Sequence, residues 1–440
     1  MDSRIKTQQI GVLAVGMFIF TLGFGIIVPV MPYYANGLGA TALDLGLLMA
    51  TFSAMQFVCA PFWGALSDRW GRKPVMMIGL AGFGLSFTCT GLSSQPWALS
   101  LSETIGGFTG LSPHIGVLFV SELIGGGLSS GIFPATLAFI ADISTPEERG
   151  GLMGTMGAAS GLGIIVGPAI SGFLTAWGLT LPFFAAAGIG FATAALSYVL
   201  LPESRMPGTY RGERKIPMLS VLSTPIAFVF VLTLLIGFAG ALIDGTFGYF
   251  LMGKFGLSDL PAPVHIYDSL LSDSTISLSG PGVMGVVFTV MGITGIVCQG
   301  LIVGRAITWL GEELTIVCGL ALYSTGLVLI YFAGGLLTLA LFACLIEVGF
   351  GLVFPSINTL VSKRTDPDHQ GAIQGVVGSF NSLGRVIGPP AGGILFAASM
   401  ALPYVASAAL GFLAAGAMLF VAKANGKKDV EKQQVAPMVK

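Results

Sequence analysis

The sequence has few charged residues for its length. Only 9% of its 440 residues are Asp, Glu, Lys or Arg, whereas a soluble domain carries about 25%. So few charges cannot cover a water-exposed surface, and the mean hydropathy of +0.88 agrees. The composition therefore excludes an ordinary soluble protein and predicts one embedded in a lipid bilayer. The net charge of −1 lacks the basic footprint that nucleic-acid binding requires.

The residues that hold metals and cofactors are also scarce. The five cysteines and three histidines are scattered, and no pair has the spacing of metal ligands or of a redox motif. There is no Walker phosphate loop, and the glycine pattern at 280–285 opens an apolar helix without a preceding strand, which is the wrong context for a dinucleotide site. We expect no cofactor, no metal and no enzymatic activity.

Long apolar runs are abundant instead. A run of about 20 residues can cross a bilayer as a helix. We count twelve such runs, at 10–34, 43–66, 75–94, 115–140, 151–176, 181–201, 223–252, 281–303, 314–334, 335–361, 371–397 and 401–423.

The positive charges predict the topology. With both termini in the cytoplasm, 18 of the 20 Lys and Arg residues lie on the cytoplasmic side, as the positive-inside rule requires. The chain then divides into a six-helix bundle at 1–201, a cytoplasmic linker at 202–222, a second bundle at 223–423 and a cytoplasmic tail at 424–440. No Asn-x-Ser/Thr sequon occurs, which favours a prokaryotic cytoplasmic membrane.

The two halves repeat each other. Prolines and glycines of the first half, from Pro134 to Gly172, recur 221 residues later, from Pro355 to Gly393. A parallel repeat of this kind is typical of secondary transporters, whose binding site lies between the halves. The first half also has an insertion, which we place in an external loop at 95–114, either as a surface lid or as an inert loop.

Residues 64–74 carry the most specific motif. Gly64 and Gly71 allow a tight turn, and Arg69 and Arg72 are basic. Asp68 can face a helix N-terminus across the domain boundary, where a carboxylate is favourable. A charged turn that merely obeys the positive-inside rule would explain the basic residues but not the two glycines around Asp68.

This segment resembles the signature loop of the major facilitator superfamily. Residues 167–172 resemble a motif of its proton-coupled antiporters, and residues 23–32 are similar to its drug-exporting branch. Residues 304–312 and 370–375 look like tetracycline-efflux proteins. The resemblance implies an all-α membrane protein with twelve transmembrane helices in two pseudo-symmetric six-helix bundles, working as a monomer by alternating access.

The resemblance also implies roles in conformational gating. Asp68 would latch the halves in the outward-open state, and Asp142 would pair with the loop arginines. Glycine stripes in the fifth and eleventh helices would pack against the opposite half and slide, or would serve only as generic small-residue packing. The motif positions in these two helices are Gly167, Pro168, Gly172, Gly388 and Pro389.

The sequence departs from the tetracycline exporters at the residues that carry their proton chemistry. Their acidic and histidine positions match Phe20, Ser86, Tyr323 and Gly295. The arginine of the antiporter motif in the fourth helix is replaced by Glu122. The tetracycline proton mechanism therefore cannot simply be carried over.

Four ionisable residues remain inside the predicted spans, namely Glu122, Asp244, Glu347 and Arg385. Such a group costs several kcal/mol in hydrocarbon unless it is paired or hydrated, so it marks a candidate functional site. The three acids fall on the fourth, seventh and tenth helices, which line the cavity in this superfamily. We expect them to carry protons, with Arg385 pairing with Glu347. The alternatives are a static ion pair for Glu347 and simple solvation for Asp244.

These features predict a proton-coupled exporter of small lipophilic or cationic compounds, whose partners are the bilayer, protons and the small-molecule substrate. The candidate cavity residues are Tyr33, Tyr34, Gln56, Asn358 and Asn381. The alternative is a uniporter or proton symporter for a sugar or organic acid, in which Arg385 binds an anion. A third alternative is a non-transporting receptor, against which the lack of a sizeable soluble module argues.

Overall fold

The computed structural model describes residues 3–109, 113–204, 227–267, 274–365 and 370–435. In this part of the chain all regular structure is helical except for one hairpin. The elements are α1 Ser3–Ile27, α2 Met31–Gly37, α3 Ala42–Trp70, α4 Arg72–Leu92, α5 Pro96–Thr109, α6 Gly116–Ser129, α7 Ile132–Ile143, α8 Pro146–Leu174, α9 Leu181–Leu200, α10 Ala227–Asp244, α11 Phe247–Phe255, β1 Ala262–His265, β2 Thr275–Leu278, α12 Gly280–Val297, α13 Val303–Ile330, α14 Leu336–Lys363, α15 Gln370–Ala398 and α16 Leu402–Val435.

The described helices agree with twelve spans. Nine segments are long and apolar enough to cross a membrane, or up to ten if the bent pair α10–α11 is one span. One of the nine, Gly280–Ile330, has 51 residues and breaks at Gly311, where φ is 78°, so it contains two spans. The remaining span is α15, which has 29 residues but is less apolar because it carries Asn381 and Arg385.

Three of the predicted spans are interrupted. The first breaks between α1 and α2, the fourth breaks between α6 and α7, and the seventh bends by 42° between α10 and α11. A break in a membrane helix is tolerated where protein surrounds it.

The insertion at 95–114 is not the open loop that we expected. Residues Pro96–Thr109 form α5, with Pro96 at its first position, where its missing N–H costs nothing. The hairpin was not predicted from the sequence. In it, β1 pairs antiparallel with β2, and Val264 lies opposite Ile276. We call this end of the bundle the hairpin side.

The opposite end is the basic side, which carries Arg69, Arg72, Lys363 and Arg364. Each half has its own apolar core, with Phe20, Phe83 and Phe183 in the first. In the second, Phe230, Ile316 and Leu320 pack together. The predicted linker at 202–222 lies largely outside the described residues, and α16 continues to Val435, beyond the predicted end at 423.

Candidate functional site

The two halves touch on the hairpin side. Helix α3 approaches α15 so closely that a Cβ on Gly46 would lie 2.3 Å from the carbonyl oxygen of Pro389. In the same contact, a Cβ on Gly393 would lie 2.5 Å from Cα of Leu43. Backbones come this close only where one residue has no side chain. Since α3 belongs to the first half and α15 to the second, this contact closes the hairpin side.

A second contact, between α8 and α12, closes the same side. A Cβ on Gly285 would lie 2.7 Å from the carbonyl oxygen of Pro168, and one on Gly172 would lie 3.6 Å from Cα of Gly282. Of the predicted gating positions, Pro168, Gly172 and Pro389 therefore lie between the halves.

Two other predicted gating glycines pack elsewhere. A Cβ on Gly167 would lie 2.5 Å from Cα of Gly25 on α1, and one on Gly388 would lie 2.5 Å from Cβ of Ala241 on α10. Both contacts are within one half, so these glycines do not face the opposite half as we expected. They hold α8 and α15 against their own bundles.

The basic side is open. In the described part of the chain, a Cβ added to Gly64 on α3, to Gly157 or Gly161 on α8, or to Gly378 on α15 would meet nothing within 4 Å. These glycines lie on the helices that close the hairpin side. The gap between the halves is therefore sealed at the hairpin side and opens at the basic side.

The structure does not join the four ionisable residues into one cluster. Asp244, at the end of α10, forms an ion pair with Arg385 of α15, with 4.0 Å between Oδ2 and Nη2. The expected pairing of Arg385 with Glu347 is corrected accordingly, because Arg385 lies on the side of α15 that faces α10. Both members of the observed pair remain substantially exposed, at 45% for Asp244 and 60% for Arg385.

Glu347 lies against α12 at a position without a side chain. A Cβ on Gly295 would lie 2.7 Å from Oε1 of Glu347, so the carboxylate occupies space that only glycine leaves free. Directly after α12 ends, residues Cys298–Ile302 form a π-helical turn. Such a distortion often occurs at functional sites. No hydrogen bond or ion pair involves Glu347 among the described residues.

Two exposed phenylalanines follow Glu347 along α14. Phe350 and Phe354 come three and seven residues later, which puts all three side chains on one stripe of the helix. Their rings stack with centroids 6.5 Å apart, and each side chain is 42% exposed. This stripe combines a carboxylate with two apolar aromatic surfaces.

Glu122 lies on α6 and is half-buried. The helix approaches α3 closely, because a Cβ on Gly126 would lie 2.4 Å from the carbonyl oxygen of Phe52. Phe52 in turn contacts Phe24, with 5.3 Å between the ring centroids. One turn of helix separates Glu122 from Gly126, so the carboxylate and these rings share one region of the first half. Among the described residues Glu122 has no hydrogen bond or ion pair.

The predicted cavity residues fall into two groups. Tyr33 is buried on the hairpin side, where a Cβ on Gly280 would lie 2.1 Å from its ring. Tyr34 is buried within the first half and donates a hydrogen bond to the carbonyl oxygen of Thr90 at 3.0 Å. Neither tyrosine lies on an open surface of the gap in this conformation. Gln56 is exposed, while Asn358 and Asn381 are half-buried.

The loop at 64–74 is held by charged hydrogen bonds. Gly71 has a φ of 103°, a conformation that glycine adopts without strain. The buried Arg72 then reaches Asp68, at 2.7 Å, and donates from Nε to Oδ2 of Asp142 at 3.1 Å. Arg69 is exposed.

A residue that the sequence did not single out caps the following helix. Glu203 accepts the backbone N–H groups of Arg72, at 2.8 Å, and Lys73, at 3.2 Å. These are the first N–H groups of α4, where a carboxylate is stabilising. Ser204 adds a hydrogen bond to Asp142 at 3.1 Å. A carboxylate from the far end of the first half thus caps α4.

The second half has a matching arrangement. Gly311, 240 residues after Gly71, also has a positive φ, and Lys363 donates a hydrogen bond to Glu312. This hydrogen bond holds the pKa of Glu312 below its usual range. Arg364 pairs with Glu313 in the same way.

The family model of the Major Facilitator Superfamily matches residues 13–272 and 270–439. The chain belongs to the major facilitator superfamily. The predicted family and all-α fold are thereby confirmed, as is the prediction of a transporter instead of an enzyme, and the protein acts on small molecules within a membrane.

Two of the similar proteins are bacterial resistance proteins. The chain is similar to Multidrug resistance protein 1 of Bacillus subtilis (strain 168), with 30% identity over 401 residues that cover 91% of this chain and 92% of the relative. Quinolone resistance protein NorA of Staphylococcus aureus is 28% identical over 403 residues, which cover 90% and 92%.

Solved structures show the same superfamily fold. The human organic anion transporter MFSD10 (TETRAN) matches with a TM-score of 0.61 at 22% identity, over 94% of this chain and 99% of that one. The nucleoside transporter NupG matches with a TM-score of 0.67 at 14% identity, over 96% and 100%. At these identities the likeness concerns the fold alone.

Proposed function

We propose that this major facilitator protein exports small lipophilic or cationic compounds in exchange for protons. The main support is a gap between the halves that is sealed at the hairpin side and opens at the basic side. Glu122 and Glu347 add to it, because neither has a hydrogen bond or ion pair among the described residues. The names of the bacterial relatives, a multidrug resistance protein and a quinolone resistance protein, support export of foreign compounds. We expect the protein to work as a monomer.

The basic side faces the cytoplasm in this proposal. Arg69, Arg72, Lys363 and Arg364 lie there, and cytoplasmic ends carry an excess of Lys and Arg. Both termini then lie in the cytoplasm of a bacterial cell. With this orientation the gap opens toward the cytoplasm, from which it takes up substrate.

The side chains of one stripe on α14 favour lipophilic cations. Glu347, Phe350 and Phe354 present a carboxylate and two aromatic surfaces on one stripe. A cation over an aromatic ring gains about 0.5 to 2 kcal/mol, more when water is excluded. The carboxylate adds charge complementarity, while the rings accept apolar groups of many shapes. This combination selects by charge and hydrophobicity instead of by one fixed pattern of hydrogen bonds.

Proton coupling follows if the same carboxylates bind either a proton or a cation. Glu122 and Glu347 have no ion-pair partner among the described residues, so protonation would remove charges that a cationic substrate requires. Coupling also requires that each ligand favour a different conformation. Asp244 has a different role, because its charge is balanced by Arg385. Protonation of Asp244 would release Arg385.

The alternative is a transporter of a small carboxylate, by uniport or proton symport. The 60% exposure of Arg385 favours it, because a guanidinium that is only partly engaged can bind an anion. In that case substrate would compete with Asp244 for Arg385.

Transport in proteoliposomes distinguishes the two. The purified protein is reconstituted into vesicles that contain a lipophilic cation such as tetraphenylphosphonium. A pH gradient is then imposed across the vesicle membrane, and movement of the cation is followed. We expect gradient-driven movement that E122Q and E347Q abolish and that S100A, on the exposed face of α5, preserves. Transport of small carboxylates without transport of the cation would support the alternative and overturn this proposal.

A further inference from the structure

Helix α5 contributes no residue to the proposed transport site. It lies between α4 and α6, both of which cross the membrane. Ser102 accepts the backbone N–H of Val117 at 3.0 Å, and a Cβ on Gly116 would lie 2.8 Å from Cβ of Ile105. The middle of α5 thus meets the first residues of α6. Helix α5 therefore packs against the hairpin-side end of α6.

The surface of α5 is divided into distinct faces. Ala98 and Ser102 are fully buried, whereas Trp97 is 57% and Leu101 47% exposed. A helix turns about 100° per residue, so Trp97 and Leu101 share a face that lies about 120° to 160° from Glu103. One side of the helix is held by the protein, one is apolar and exposed, and one is polar.

The polar face is directed toward the connection that follows α5. Glu103 lies 3.9 Å from Nδ1 of His114, a residue just before α6. Ser100 and Thr104, which are also exposed, lie between Glu103 and Trp97 around the helix. Amphipathic helices with a tryptophan on the apolar face lie in the interface of a bilayer.

The alternative role for this segment is a lid over the gap. The hairpin side, however, is already closed by α3 against α15 and by α8 against α12, without α5. The buried face of α5 is engaged with the start of α6, which belongs to the same half.

We propose that α5 lies in the lipid headgroup layer on the hairpin side, with Trp97 and Leu101 against lipid. The partner is the bilayer that the protein spans, because α5 connects the hairpin-side ends of two membrane-spanning helices. The contact anchors the first half to one leaflet. It is independent of the transported substrate.

Fluorescence quenching in vesicles tests this inference. The wild-type protein and W97F are reconstituted in phosphatidylcholine, with or without bromine atoms on the acyl chain near the headgroup, and the difference in emission isolates Trp97. We expect the Trp97 signal to be lost in brominated vesicles and to resist aqueous iodide. Trp63, buried and bonded to the carbonyl oxygen of Gly127, provides a baseline through W63F.

Two outcomes would overturn the inference. Quenching of the Trp97 signal by iodide but not by brominated lipid would place α5 in water. A change in the quenching of Trp97 by iodide or brominated lipid when tetraphenylphosphonium is added would show that α5 is a moving lid. L101S gives an independent check, because it should reduce quenching by brominated lipid while the protein remains folded.

Discussion

Arg72 donates a hydrogen bond to Asp142 in the first half, and the repeat places the opposite charges at the equivalent positions of the second half. Glu312 is 240 residues after Arg72, Lys363 is 221 residues after Asp142, and these two also pair. Both loops turn at a glycine with positive φ. The two halves therefore use one backbone arrangement with the polarity of the ion pair reversed.

The two pairs should differ in their contribution to stability. The Arg72 side chain is 8% exposed and that of Lys363 is 65% exposed. Loss of a hydrogen bond to a buried charge costs about 1.5 to 3 kcal/mol, whereas an exposed pair contributes at most about 1 kcal/mol. We expect D142N to lower the unfolding temperature in detergent clearly more than K363Q. Equal effects would contradict the assignment of Arg72 as the buried partner.

The pair in the second half should make stability depend on pH. The hydrogen bond from Lys363 lowers the pKa of Glu312 from its ordinary value of 4.5. A carboxyl group whose pKa is lower in the folded state stabilises the fold above its unfolded value. That stabilisation is lost as the pH falls through the lower, folded-state value. Between the unfolded-state and folded-state pKa values, the unfolding temperatures of the wild type and E312Q should converge as the pH falls. A difference in unfolding temperature that stays constant would refute the prediction.

Glu203 should control the start of α4. Its carboxylate accepts the N–H groups of Arg72 and Lys73, and loss of a cap costs about 0.5 to 2 kcal/mol. We expect E203A to speed hydrogen exchange at these two amides. S204A, which removes the neighbouring hydrogen bond to Asp142, serves as the control and should leave both amides protected. Unchanged exchange in E203A would show that the cap is dispensable.

The sequence predicted the parts of this molecule that repeat or that obey a hydrophobic period. The spans could be located because hydrocarbon demands about 20 apolar residues each, and the signature loop because Gly71 needs an unusual conformation. The helical state of 96–109 was missed, since its apolar residues are too few to predict a span and its polar residues resemble a loop.

Contacts between segments that are distant in the chain could not be predicted from the sequence. Nothing in the residues around Glu203 shows that its carboxylate reaches α4, since this depends on how α9 packs against α4. The pairing of Arg385 with Asp244 instead of Glu347 depends in the same way on the rotation of α15. The reversed charges at Glu312 and Lys363, in contrast, were visible in the repeat once both offsets were applied.

A side chain added at the hairpin-side contact should open that side. G393A puts a methyl group against the backbone at Leu43, which cannot move aside as a side chain could. Overpacking of this kind costs about 1 to 3 kcal/mol, enough to change a two-state population roughly tenfold. G378A, on the same helix but in open space, should not open this side. Distances between spin labels on α3 and α15 would measure the shift, and identical distributions for G393A and wild type would contradict it.

Glu347 and Gly295 offer the sharpest test of the transport site. A Cβ at position 295 would lie 2.7 Å from Oε1 of Glu347, so G295A should push the carboxylate out of its place and reduce pH-gradient-driven transport. Aspartate is one methylene shorter and would leave room for the added methyl group. We therefore expect the double variant G295A/E347D to transport better than G295A alone, whereas G295A/E347Q should remain inactive. If E347D does not improve G295A while both variants remain folded, the loss arises from α12 itself and not from displacement of the carboxylate.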